Sequence, residues 1–174
     1  QCAAVCPTGA IIIKNDSHRL WKELNQEDTI AVAQVAPAVR VAVAKEFGYN
    51  GENVMGKIVA ALRRIGFNYI FDTSTAADLT VMEESKEFAD RLANGGKLPL
   101  FTSCCPAWSV MAKKLFPTLA PYISMALTPM VLTARMLKKD DPDACIAFIG
   151  PCAAKKLEAS RRTIRSDVDF VLTF

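Results

Sequence analysis

Three strand-like runs of this 174-residue chain pass into helical stretches through a proline, at Ala36-Pro37, Cys105-Pro106 and Pro151-Cys152. Proline suits the first position of a helix, where its missing N–H would have had no partner. The junctions therefore read as strand-to-helix turns. In a parallel sheet such turns lie at the carboxyl ends of the strands, where open α/β folds place their ligands. That arrangement would bring Cys105 and Cys152 to one crevice.

The rest of the chain keeps the same alternation. An apolar run at 29–36 precedes helices at 37–47 and 54–65 and a short strand at 68–72. A long helix follows, capped by Ser74 or Thr75, running to Ala93 and ended by Asn94, Gly95 and Gly96. Further on, strands are expected at 98–102, 144–149 and from 168 to the end, with helices at 105–116, 128–138 and 151–162. Strands separated by helices of ten or more residues imply an α/β fold, a mostly parallel sheet flanked by helices. With 51% hydrophobic and 22% charged residues the chain has enough apolar side chains to bury such a sheet.

Charge and hydropathy exclude other classes. A net charge of +3, from scattered Lys and Arg, gives no basic face for nucleic acid. The most apolar segments, 29–43 and 121–137, are interrupted by charges or prolines and are too short for a bilayer, so no membrane insertion is expected and a cytoplasmic location is. The 6 cysteines include the adjacent Cys104 and Cys105, a pair poorly placed to bridge each other, and metal or catalytic use is favoured over disulfides. Cys145, inside an apolar strand, reads as a core residue.

The opening string QCAAVCPTGAI places Cys2 and Cys6 in a C-x3-C-P pattern. It resembles the end of the bacterial ferredoxin run C-x2-C-x2-C-x3-C-P, and Gly9 and Ile11 to Ile13 resemble the turn and strand that follow it. A boundary near Asp28 then separates residues 1–27, a remnant of a ferredoxin-like 4Fe-4S domain plus connector, from residues 28–174. Both ends read as cut.

FTSCCPAW (Phe101 to Trp108) resembles the first signature of the iron-only (FeFe) hydrogenases, TSCCPxW, and Pro151, Cys152, Lys155 and Glu158 resemble the second, P-C-x2-K-x2-E. VAPAVR (Val35 to Arg40) and DTSTAADLTVMEE (Asp72 to Glu84) are also similar to that family, in the family's order. The resemblance implies the amino-terminal part of the H-cluster domain, a large-domain lobe with reversible hydrogen formation as its activity. Cys105 and Cys152 would bind the 4Fe-4S part of the H-cluster, whose diiron unit bears CO and cyanide. Cys2 and Cys6 would bind ferredoxin-type 4Fe-4S clusters.

Lys155 would hydrogen-bond one cyanide, with Ala36 and Pro37 lining the pocket near the other. Cys104 would donate a proton to the diiron unit, fed through Glu87, Ser124 and Glu84 to the surface, with Arg91 near the outer carboxylate. On spacing alone Glu84, Glu87 and Arg91 fall within about 60° of helical arc, which a solvated charged face would share. Two positions depart from the best-known members and would lie beside the diiron unit: Gly150, where methionine is frequent, and Met130, where glutamine is common.

The resemblance also implies ferredoxin or a similar electron carrier, and H-cluster maturation proteins, as partners. With two of four cluster ligands, these 174 residues alone are expected to be inactive. A non-enzymatic alternative is a hydrogen sensor or an iron-sulfur assembly relative.

Overall fold

The computed structural model describes residues 3–49, 51–165 and 167–173; Cys2 lies outside them. Four parallel strands, β1 (Ala31–Val35), β2 (Tyr69–Asp72), β3 (Cys145–Ile149) and β4 (Phe170–Leu172), form one sheet in the order β2-β1-β3-β4. Parallel sheets are covered on both faces, so their central strands read as continuous apolar runs. The AVAQV of β1 and the CIAFI of β3 do so. Tyr69 and Phe71 on the edge strand β2 are instead exposed.

Period-two alternation sorts these side chains onto two cores. On one face Ala31, Ala33, Val35, Cys145 and Ala147 pack against α1 (Ser17–Leu24), α2 (Pro37–Glu46) and α3 (Met55–Ile65), through Leu20, Val39 and Ile58. On the other, Val32, Ile146 and Phe148 meet Met130, Val131 and Ala134 of α6 (Pro129–Asp140). Gln34 in mid-β1 is fully buried; with its amide oriented to suit its neighbours, it donates to the Met130 carbonyl (3.1 Å) and accepts from the Ala134 N–H (3.2 Å). The polar residue in an apolar strand thus ties the sheet to α6.

Helix α4 (Ser74–Ala93) packs on α6 and is ended by Asn94 and by Gly95 at φ 68°, a left-handed conformation glycine adopts without a Cβ penalty. Its start differs from expectation: neither Ser74 nor Thr75 caps it, and Asp72 Oδ1 accepts the Ser74 N–H at 2.9 Å. The remaining helical elements are α5 (Pro106–Leu115), a 3-10 segment (Pro117–Tyr122) and α7 (Ala154–Ala159).

Four further expectations are corrected. Residues 98–102 are not a strand: Pro99 offers no N–H to a ladder, and Phe101 makes an isolated parallel bridge to Ile123. Ile11 to Ile13 carry no strand and are exposed, since no described strand lies alongside to pair with them. The helix expected at 151–162 covers only Ala154–Ala159, because Pro151, Cys152 and Ala153 are used in the turn away from β3. Pro151 is therefore not at a first helical position, unlike Pro37 and Pro106. A helix was also missed: α1 lies in the polar connector and sends Leu20 into the core.

Among the described residues no helix is long and apolar enough to cross a membrane.

Candidate functional site

The parallel strands end on one side of the sheet, and the turns that follow are laced together. Ala36 N–H donates to Ile149 O (2.9 Å), Thr73 N–H to Val35 O (3.0 Å) and Gly150 N–H to Leu172 O (3.0 Å). Ala36 leaves β1 in extended backbone before Pro37 opens α2. A Cβ added at Gly150 would lie 2.8 Å from Phe148 Cε1 and 3.0 Å from the Ala36 Cβ. The space a side chain at 150 would use is filled by the Phe148 ring. Met130, 1% exposed, completes this wall from α6.

The loop carrying Cys104 and Cys105 joins this edge by a different route from a sheet strand. Phe101 N–H donates to Tyr122 O and Ser124 N–H to Phe101 O, both at 2.8 Å. The Trp108 ring meets Phe101 edge-on at 6.0 Å, and its Nε1–H reaches Thr102 O (3.1 Å). Cys105 then stands as the N-cap of α5, which packs on α7, the helix following Cys152. Cys104 and Cys105 are exposed and Cys152 half-buried.

Lys155 fastens the two segments. Its Nζ donates to the Cys104 carbonyl (3.0 Å) and to Glu158 Oε2 (2.8 Å), which also accepts from the Thr128 hydroxyl (3.2 Å). All three side chains are buried. The neighbouring Lys156 diverges and donates to the Val171 carbonyl, so the two lysines are not a solvated pair. Sequence reasoning named Lys155 but gave no place to Thr128, and Glu158 only as part of a signature; its spacing three residues beyond Lys155 was the available signal.

A second polar chain runs from α4. The Ser124 hydroxyl donates to Glu87 Oε2 (2.7 Å), and Arg91 pairs with Glu87 Oε1 (2.5 Å) while also reaching the Lys97 and Pro121 carbonyls. Glu84 lies against the Ser103 backbone and the Ser124 hydroxyl. Ser103 Oγ in turn donates to Ser124 O (3.0 Å). The expected order is thus reversed: Glu84 stands beside the cysteine loop, and Glu87 with Arg91 at the open end. The cause is one helical turn of α4, which sets residue 87 beyond residue 84 and within reach of residue 91.

The two carboxyls are held apart in acidity. Burial pushes Glu84 up, opposed by the Ser103 backbone, reinforced by the Glu87 charge and eased by Ser124; the net is upward. Burial also pushes Glu87 up, but the Ser124 hydroxyl and Arg91 outweigh it and hold it below the ordinary range. A raised folded pKa gives stability that is complete below the unfolded value and lost as pH rises through the folded one; a lowered pKa does the reverse. Glu84→Gln should therefore gain stability over the native chain above the carboxylate range and nothing in acid. Glu87→Gln should lose stability at neutral pH and converge with the native chain in acid. Each effect should stay under about 1 kcal/mol at these half-exposed positions. Urea unfolding between about pH 3 and 8 measures both, and superimposable curves for the two variants would refute the split.

Cys145 behaves as a core residue, its thiol pushed up to about 12 chiefly by burial. At the other extreme Cys6, half-buried, is lowered to about 7, first by the Thr8 hydroxyl 3.5 Å from its sulfur and then by nearby backbone N–H groups. Thiolates are what soft metals bind. Among the described residues no three His, Cys, Asp or Glu side chains are placed to hold a metal ion. The donor set at the crevice is chemically suited to iron-sulfur and partial in number: Cys105 and Cys152, with a buried ammonium to balance anionic charge.

The protein is thus an α/β domain that gathers, beside the carboxyl edge of a parallel sheet, a cysteine at a helix N-terminus, a second cysteine after β3 and a buried lysine. Residues 29–174 match the family described as "Iron only hydrogenase large subunit, C-terminal domain", and the chain belongs to it. It is 38% identical to the NADP-reducing hydrogenase subunit of Solidesulfovibrio fructosivorans over 99% of this chain and 33% of that protein. It is also 33% identical to cytosolic iron-sulfur assembly component 3 of Bos taurus, over 97% of this chain and 41% of that one. The apo FeFe-hydrogenase of Chlamydomonas reinhardtii superposes with a TM-score of 0.81 at 34% identity, covering 92% of this chain and 45% of that chain. The chain thus spans less than half the length of each of these relatives.

Proposed function

We propose that the chain is the cysteine- and lysine-bearing part of a domain that forms hydrogen reversibly, two protons and two electrons giving one H2. The observation that supports this reading most is the polar line from Arg91 and Glu87 through Ser124 to Glu84 and the Ser103-Cys104 loop, ending where Lys155 joins the two signature segments. When bound, an H-cluster would supply the redox chemistry that joins protons and electrons as H2.

The residues present would do the rest. Cys105 and Cys152 would ligate its 4Fe-4S part, and Lys155 would offer an N–H to an anionic ligand, with Ala36, Pro37, Met130 and Gly150 walling the pocket. Cys104 would hand over the proton, refilled from Glu84 and, through Ser124, from Glu87 beside Arg91. Glu84, whose pKa burial raises, holds a proton more readily than Glu87, whose pKa is lowered. Cys2 and Cys6 would bind ferredoxin-type clusters delivering electrons from ferredoxin or a similar carrier. Maturation proteins would load the diiron unit in the cytoplasm.

Likeness to an iron-sulfur assembly component keeps a non-enzymatic reading in play. A longer protein containing this chain, matured anaerobically with H-cluster maturation enzymes, separates the readings. CO and cyanide infrared bands together with hydrogen evolution from reduced methyl viologen are expected. The bands with negligible evolution would favour a sensor. Cluster iron with neither bands nor hydrogen would overturn the proposal in favour of the assembly relative.

A further inference from the structure

We propose that Glu158 and Thr128 are positioning residues for Lys155, holding its ammonium between the two cysteine-bearing segments before any metal arrives. The network is buried at every member: Thr128 at 7%, Lys155 at 8% and Glu158 at 3% exposure. Thr128 precedes α6, Glu158 and Lys155 lie on α7, and the accepting carbonyl belongs to Cys104. One ammonium, one carboxylate and one hydroxyl therefore join three segments of the crevice.

Burial of an ion pair does little for stability compared with an apolar pair of the same volume, because desolvation offsets the attraction. What it supplies here is direction. An ammonium has three N–H groups; two have partners among the described residues, the Cys104 carbonyl and Glu158. The third has no partner among the described residues and would be offered to an anion bound at the proposed site. Without Glu158 the flexible four-carbon stem of lysine would sample other rotamers, and without Thr128 the carboxylate would lose the bond that keeps one oxygen turned toward Lys155. The use to which that anion site is put rests on the hydrogenase reading; the pre-placement of Lys155 does not.

The test uses the whole chain without metal. Competitive acetylation with acetic anhydride, followed by peptide mass spectrometry, gives the rate at Lys155 relative to Lys156. Lys156 sits next door on the same short helix but faces β4, so local unfolding moves both rates and loss of positioning moves only the first. Thr128→Val should raise the ratio about threefold, the size expected for one lost hydrogen bond. Glu158→Gln should raise it about tenfold through loss of the charge-assisted bond. Thr128→Ser, which keeps the hydroxyl, should restore the native ratio.

An unchanged ratio in a folded Thr128→Val, a joint rise at both lysines, or Thr128→Ser behaving like Thr128→Val would overturn the proposal. The threonine pair decides the matter even where Glu158→Gln does not fold. Because the readout needs no cluster, a chain that failed as a hydrogenase would leave it intact, and the converse also holds.

Discussion

Glu158→Ala is expected to destabilise the fold by about 3–5 kcal/mol, the cost of leaving a buried charge without its partner. The Lys155 and Glu158 side chains are 10% and 5% exposed at a separation of 2.8 Å, so water cannot take over the role of the lost carboxylate. Thr128 would lose its acceptor in the same step. Domains of this size are stable by about 5–15 kcal/mol, which makes the loss a large share of the total. Replacing both partners at once, Lys155→Met with Glu158→Leu, should recover most of it, because an apolar pair carries no desolvation cost. Urea unfolding reads each variant, and a loss under about 1 kcal/mol for Glu158→Ala would mean that the pair is hydrated.

The second large effect concerns Cys104. In a matured longer protein, Cys104→Ala should lower hydrogen evolution by at least about a hundredfold, the range contributed by a positioned acid. The CO and cyanide bands should stay in place, because Cys105 and Cys152, the proposed ligands, are untouched. The reasoning is positional. The Cys104 carbonyl is held by Lys155, and the preceding Ser103 presents its backbone to Glu84 and its hydroxyl to the Ser124 carbonyl. The loop is thus fixed at the inner end of the polar chain, where a thiol has a proton source behind it. Retained evolution would remove Cys104 from the proton path; loss of the infrared bands would mean that the substitution acts on the cluster instead.

Much of this was readable in the sequence, for reasons that can be named. β1 and β3 stand out because a central parallel strand must be apolar on both faces, as AVAQV and CIAFI nearly are. Pro37 and Pro106 mark helix starts because proline is tolerated there. The stretch before the cysteines misled: LPLFT at 98–102 has the composition of a strand, yet Pro99 and a neighbouring 3-10 segment leave it a single bridge. Helix α1 was hidden because only Leu20 is buried on it and the rest reads as polar linker.

Within the site, residue types and periodicity located Glu84, Glu87 and Arg91 on one side of α4 but not their order. That depends on where the Ser103 and Ser124 loops cross the helix, a fact of tertiary packing. The contact between Gly150 and Phe148 was likewise invisible, since neighbours two apart on a strand give no sign that one ring leans over the other's Cα.

The sheet also fixes a sequence of events. β1 pairs with β3 across most of the chain's length, and α7 comes only after β3. Pairings between distant segments form slowly, since loop closure must precede any gain from the contact. The segment that opens α5 and the one that precedes α7 are therefore joined, through Lys155 and the Cys104 carbonyl, only after β3 has been made and paired with β1. On the proposed reading, a metal centre built on Cys105 and Cys152 would arrive as a guest in a frame already folded, and iron offered earlier would meet single thiols.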